Sequence, residues 1–270
     1  MSFQLDKLTV RHLTGSRAAA LQELDLRIAP GEQVALIGPS GAGKTTLLST
    51  LALAHQPAEG RFTVFGQDPW ALGQRARHAL RARLFLAPQT PPLPPRQRVV
   101  TAVLAARLPQ WSLGQALASL FKPSDPDAAY NALARFGLGD KLYARVDRLS
   151  GGERQRCSLA RLLLSNAGIF LVDEPISALD PSLARITLDT LQAEAAARKA
   201  TLVCSLHQVE LARAHFARIV GLRAGRIVFD LPREQVTDEM IAALYANETL
   251  QAEPEHPHET PERIAVGACF

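Results

Sequence analysis

Apolar positions along the chain change their spacing several times. Near the start, Leu24, Leu26 and Ile28 alternate with polar neighbours, the period of a half-buried strand. Pro30-Gly31 then turns the chain into Val34-Ala35-Leu36-Ile37, an unbroken apolar run long enough for a buried strand. Thr46 to Leu53, rich in Leu and Ala and free of Gly and Pro, predicts a helix, and Arg61 to Phe65 a short strand ending at Gly66. From about 70 to 148 the pattern is mostly helical. It is interrupted by Thr90-Pro91-Pro92-Leu93-Pro94-Pro95, which fits neither regular helix nor central strand. One helix there is well marked. Ser124 or Asp125 caps it, Pro126 suits its first turn, Tyr130, Leu133, Ala134 and Phe136 form its stripe, and Gly137 ends it.

Strand and helix then alternate again. Ile169 to Val172 reads as a buried strand, a long helix follows around 182–198, and strands are expected at Thr201–Ser205 and Arg226–Asp230. Thr237-Asp238-Glu239 starts a last helix that runs through Tyr245. Beyond about Thr249 the chain is rich in Glu, Pro and His without period, and residues 247–270 are expected to be a flexible tail. The expectation is an α/β domain over residues 3–246 with a helical subdomain inserted at about 90–165.

Composition sharpens this only a little. With 270 residues, 47% hydrophobic and 21% charged, the chain can bury a sizeable core as one large domain or a domain with a subdomain. The net charge of +4 is mild. The arginines cluster only at Arg75, Arg77, Arg81 and Arg83, without interleaved aromatics, so a solvated helix face is expected and no nucleic-acid partner. The apolar runs fall far short of the ~20 residues that span a bilayer. Met1 to Asp6 carries neither a basic nor an apolar leader segment, so no signal peptide is expected. Cys157, Cys204 and Cys269 are odd in number and widely spaced, which disfavours a disulfide framework or a zinc site and suits a reducing compartment.

The chemistry starts at Gly38-Pro39-Ser40-Gly41-Ala42-Gly43-Lys44-Thr45-Thr46, which has the G-x-x-x-x-G-K-S/T spacing of a phosphate-binding loop. An apolar strand precedes it and a helix follows, the context that gives the spacing meaning. Glycines let successive N–H groups curl toward phosphate oxygens, and the helix start adds its positive end. Lys44 would bind the terminal phosphates, and the Thr45 hydroxyl would ligate Mg²⁺. The chain is therefore expected to bind a nucleoside triphosphate.

A second glycine signal, Leu149-Ser150-Gly151-Gly152-Glu153, also opens a helix-forming segment, Arg154 to Leu164. Alone it is weak. In order, the Gly38 loop, Gln89, Ser150-Gly151-Gly152, the strand ending in Asp173-Glu174, and His207 form the motif set of an ATP-binding cassette. Over residues 3–246 the chain resembles the ATPase subunit of an ABC transporter. That resemblance implies a P-loop NTPase fold with a mixed core sheet, an antiparallel β subdomain and an inserted helical subdomain.

It also implies roles. Asp173 would hold Mg²⁺ through water, Glu174 would be the catalytic carboxylate that polarises the attacking water, and Gln89 would contact Mg²⁺ and report occupancy. His207 would hydrogen-bond the terminal phosphate, and Ser177-Ala178-Leu179-Asp180 would cross to a partner subunit. One loop covers one side of a γ-phosphate. The resemblance implies that Ser150, Gly151 and Gly152 of a second copy close the other, in a head-to-tail homodimer with two ATP at its interface.

Finer likeness points to the phosphonate-importer ATPases. Ser205 to Ala212, Arg218 to Arg223 and Arg226 to Asp230 are similar to that subfamily, as are Leu117 to Phe121 and Tyr143-Ala144 in the insertion. The partners implied are an integral membrane permease and, indirectly, a substrate-binding protein. The place implied is peripheral, on the cytoplasmic face of the cell inner membrane. Phosphite importers use near-identical ATPases, and a soluble cassette serving carbon–phosphorus lyase machinery is the alternative. Two positions depart from the family pattern. His12 stands where an aromatic usually stacks on adenine, and Pro88 where Phe usually precedes the glutamine.

Overall fold

The computed structural model describes residues 1–11, 19–121 and 124–246. His12 and the tail from residue 247 lie outside the described residues. Strand β1 (Phe3–Arg11) pairs antiparallel with β2 (Ala19–Ile28), Leu5 facing Leu26. From Leu24 to Ile28, β2 alternates buried and exposed, as a strand with one face on the core must. β3 (Gln33–Ile37) is buried from Val34 onward and leads through a loop into α1 (Lys44–Leu51). This helix begins two residues before the apolar pattern indicates, because Gly43 takes a left-handed φ of 105° and launches it. β4 (Glu59–Val64) pairs with the other edge of β1.

The stretch from 70 to 148 is not wholly helical. After α2 (Gln74–Arg81) comes β5 (Leu84–Ala87), which joins the edge of the main sheet. Four apolar residues are too few for periodicity to separate strand from helix. The proline segment beyond it is irregular, and the helical insertion proper carries α3 (Val99–Leu104), α4 (Leu113–Phe121) and α5 (Pro126–Ala134). Asp125 caps α5, accepting from the Ala128 N–H at 3.0 Å. Its buried stripe is Ala129, Ala132 and Leu133, with Phe136 just beyond. Tyr130 and Ala134, expected in that stripe, face solvent, because the helix packs a face one position away.

The chain closes with α6 (Gly151–Leu164), β6 (Ile169–Asp173), α7 (Pro181–Arg198), β7 (Thr201–Ser205), α8 (Val209–His215), β8 (Arg218–Arg223), β9 (Arg226–Pro232) and α9 (Asp238–Tyr245). The main sheet has the order β5-β6-β7-β3-β8-β9, parallel but for β9, and a second sheet has the order β2-β1-β4. β3 and β6 divide their side chains between two cores. Ala35, Ile37, Phe170 and Val172 face the helices, while Val34, Leu36, Ile169 and Leu171 face α1 and the antiparallel sheet. The fold is α/β with a mixed core sheet, an antiparallel β unit and inserted helices. Two of the clustered arginines tie the surface down: Arg77 donates to the Pro69 carbonyl at 3.0 Å and Arg81 to that of Leu53 at 2.7 Å. No helix among the described residues is long and apolar enough to cross a membrane.

Candidate active site

The loop between β3 and α1 is built on glycines in conformations that other residues avoid: Gly38 at φ 152°, Gly41 at 75° and Gly43 at 105°. Space forbids a side chain at Gly38 as well, since a Cβ there would lie 2.1 Å from the Leu222 carbonyl oxygen. Buried Lys44 folds back over the curl, its Nζ donating to the carbonyls of Gly38 at 2.6 Å and Pro39 at 3.1 Å. No side chain caps α1, and its first turn carries no acidic residue. The helix start therefore turns its positive dipole end toward the loop, where it favours an anion.

A cavity of about 500 Å³ opens over this loop. Ser40, Gly41, Ala42, Gly43, Lys44, Thr45 and Thr46 form one wall, and Gln89, Glu174 and His207 approach from the other side. These three follow β5, β6 and β7 at their carboxyl ends, where open parallel sheets present ligands. Glu174 is buried, 8% exposed, and its carboxylate is gripped on both oxygens. Gln89 Nε2 donates to Oε2 at 2.7 Å, and His207 Nε2 meets Oε1. Its backbone stands at φ 48°, with its N–H donated to Ser205 Oγ at 3.0 Å. Buried Asp173 lies behind it and accepts from the same Ser205 hydroxyl at 2.5 Å.

The expected residues thus separate into groups. Residues 40–46, Gln89, Glu174 and His207 share one cavity; Gly38 and Pro39 form the base of the loop; Asp173 stands behind Glu174 and does not line the cavity. Ser150, Gly151 and Gly152 do not line it either. Ser150 caps α6, accepting from the Glu153 N–H at 3.2 Å, while the Glu153 carboxylate accepts from the Ser150 N–H at 2.8 Å. That bond, more than nearby Lys141, holds the Glu153 carboxyl below its usual range. Gly151 faces open space, whereas a Cβ on Gly152 would come within 2.8 Å of the Ala178 carbonyl oxygen.

Three supporting residues escaped the sequence reading. Ser205 joins Asp173 to Glu174, buried Gln155 donates its side-chain amide to the Glu174 carbonyl, and the Tyr245 hydroxyl accepts from the Gly38 N–H at 3.2 Å. Parallel pairing of β6 with β7 sets Ser205 opposite Asp173, a register that could have been read once the two strands were aligned. Nothing local marks Gln155 or Tyr245. Cys157 is packed inside α6, and burial pushes its thiol up to about 12.

The family model for ABC transporter matches residues 21–177. The chain belongs to the ABC transporter family. It is an ATP-hydrolysing cassette, of a kind that binds ATP and works as a dimer with membrane permease subunits. Among relatives, the cassette is 54% identical over 269 residues, 100% of both chains, to "Phosphonates import ATP-binding protein PhnC 2" of Pseudomonas aeruginosa. It is 57% identical over 248 residues to the protein of the same name in Albidiferax ferrireducens, covering 91% of this chain and 90% of the other. A solved dimeric bacterial ABC transporter cassette superposes with a TM-score of 0.73 at 25% identity, over 86% of this chain and 98% of that one. For cbiO1 from Clostridium perfringens the TM-score is 0.72 at 19% identity, over 93% and 95% of the two chains, which speaks for the fold alone.

Proposed function

We propose that this cassette is the ATPase subunit of an importer for phosphonate or a related reduced phosphorus compound such as phosphite. The observation that carries the cargo is the 54% identity, along the whole chain, to a relative named for phosphonates import. Two copies would sit peripherally on the cytoplasmic face of the cell inner membrane against a permease, which a substrate-binding protein loads from the other side. Residues 3–246 are the catalytic unit, and the helices inserted at about 90–165 carry its motion to the permease.

In this reading the triphosphate lies along residues 38–46, with Lys44 turned from the loop carbonyls to the terminal phosphates. His207 then bonds the γ-phosphate and releases one oxygen of Glu174. That oxygen takes a proton as water attacks the γ-phosphorus, the bond to the β-phosphate breaks, and ADP leaves with its electron pair. Thr45 and Gln89 in the cavity would offer hard oxygen donors that suit Mg²⁺, an ion that takes few protein ligands beside waters and phosphates, and Asp173 behind Glu174 would reach it through water. When bound, it neutralises charge on the transferring phosphoryl group. Ser150, Gly151 and Gly152 stand apart from their own chain's cavity, which supports their closing over the triphosphate of the other copy.

The test is growth with phosphonate, phosphite or phosphate as the sole phosphorus source, after deletion of the gene and return of it. Growth lost on phosphonate or phosphite, kept on phosphate and restored by the gene is expected. Unchanged growth on both reduced compounds sinks the import reading.

A further inference from the structure

Helix α6 grips the segment that carries Glu174 at two places. Gln155, itself 5% exposed, donates its side-chain amide to the Glu174 carbonyl. One turn earlier, Gly152 lies so close to the Ala178 carbonyl that a methyl group would not fit, with the Leu179 side chain 3.0 Å from the same point. Glu174 needs such holding. At φ 48° it occupies the left-handed region, which a residue with a long side chain adopts only where its surroundings enforce it. Ser205 fixes its N–H at 3.0 Å, and Ser177 Oγ shares its carbonyl at 3.3 Å. Of the groups on that carbonyl, only the Gln155 amide comes from the helix whose first turn is Ser150 to Gly152.

We propose that Gln155 is a positioning residue that couples the two ATP sites of the dimer. The proposal rests on the composite pocket described above. In such a dimer, α6 of one chain closes the partner's site with its first turn and holds the carbonyl of Glu174 at its own site with its second. Docking of Ser150 and Gly151 on the partner's triphosphate fixes α6, and the amide passes that fixation to the backbone from which the Glu174 carboxylate projects. One filled site thereby sets the carboxylate of the other. A buried amide on a buried carbonyl suits this task, because few solvent fluctuations compete with it.

Gln155→Met in the purified chain tests this, since it keeps length and volume and removes the amide. ATP turnover is measured against ATP concentration. The unsubstituted chain is expected to show a Hill coefficient well above one. In Gln155→Met it should fall to about one, with kcat lowered about tenfold and the half-saturating ATP concentration moved less than about threefold. Gln155→Asn, which keeps an amide too short to reach, should behave likewise and stands in should the methionine variant not fold. A packing role alone would lower the unfolding temperature and leave the Hill coefficient in place, which overturns the proposal. So does a Hill coefficient near one in the unsubstituted chain. Glu174→Gln, with and without Gln155→Met, is run on a sizing column with ATP. Dimers in both leave the composite pocket standing whatever the kinetics show of Gln155, whereas a Glu174→Gln chain that stays monomeric removes the pocket and the coupling together.

Discussion

Gln89 Nε2 donates to Glu174 Oε2 over 2.7 Å, although 85 positions separate the two residues. The bond joins the residue that opens the helical insertion to the carboxylate at the end of β6. With His207 on the other oxygen, the carboxylate is held from the insertion and from the strand beyond. A ligand that draws on Gln89 or His207 must therefore alter the hold on Glu174. The insertion and the proposed chemistry share one hydrogen-bonded unit.

Glu174→Gln keeps the shape of this unit and removes its negative charge. A positioned general base is worth about 10²–10⁴ in rate, so turnover should fall by that order while ATP still binds. The variant should also collect as an ATP-bound dimer on a sizing column. Turnover equal to the unsubstituted chain's would take Glu174 out of the proposed role.

Lys44 folds its side chain onto carbonyls of its own loop, at Gly38 and Pro39. Lys44→Ala removes a charge that would meet a highly anionic ligand in the cavity it lines. A charge-assisted bond of this kind is worth about 1.5–3 kcal/mol, so ATP affinity should fall at least about tenfold. A fluorescent-nucleotide titration measures it, and unchanged affinity would count against the loop as the triphosphate site.

Much of this was legible because it is local. The loop from Gly38 to Thr46 announces itself by spacing, the strands at 34–37 and 169–172 by unbroken apolar runs, and the caps at Asp125 and Thr237 by residue type. Order along the chain joined Gln89, Glu174 and His207 before the structure set them around one cavity. What escaped is set by tertiary register. β5 is too short to declare its period, and Tyr130 sits one position off the face that packs. Gln155 and Tyr245 reach hydrogen-bond partners 19 and 207 positions away, Ser205 bridges two residues 31 and 32 positions away, and no local residue-type pattern encodes such partners.

Acid should weaken the helical insertion through Asp125. Asp125 accepts from the Ala128 N–H and pairs with Arg107 at 2.9 Å, and in that order these hold its carboxyl below the usual range. A carboxyl depressed in the folded chain stabilises it above the ordinary carboxylate value and loses that contribution as pH falls through the depressed one. Asp125→Ala should therefore cost about 1 kcal/mol at pH 7, the usual worth of such a cap. The difference should shrink at a strongly acid pH, below that depressed value, where the carboxyl of the unsubstituted chain is protonated as well. Urea midpoints at the two pH values check it, and a gap that stays constant with pH would show that the charge contributes nothing.

The neighbouring glycines at the start of α6 separate folding from assembly. Gly152 faces the Ala178 carbonyl of its own chain, and an added methyl at 2.8 Å must push the helix or the loop aside. Gly152→Ala should lower the unfolding temperature of the isolated chain, since overpacking commonly costs about 1–3 kcal/mol. Gly151 meets nothing within 4 Å in its own chain, so alanine there adds no internal clash. Its φ lies outside the left-handed region that favours glycine, and alanine suits a helical first turn better than glycine does. Gly151→Ala should leave the unfolding temperature unchanged or slightly raised. If a partner's triphosphate closes on that open face, the same methyl group stands in its way, and ATP turnover should fall along with dimer trapping in a Glu174→Gln background. A Gly151→Ala chain that turns over and dimerises like the parent would mean that the open face meets no nucleotide.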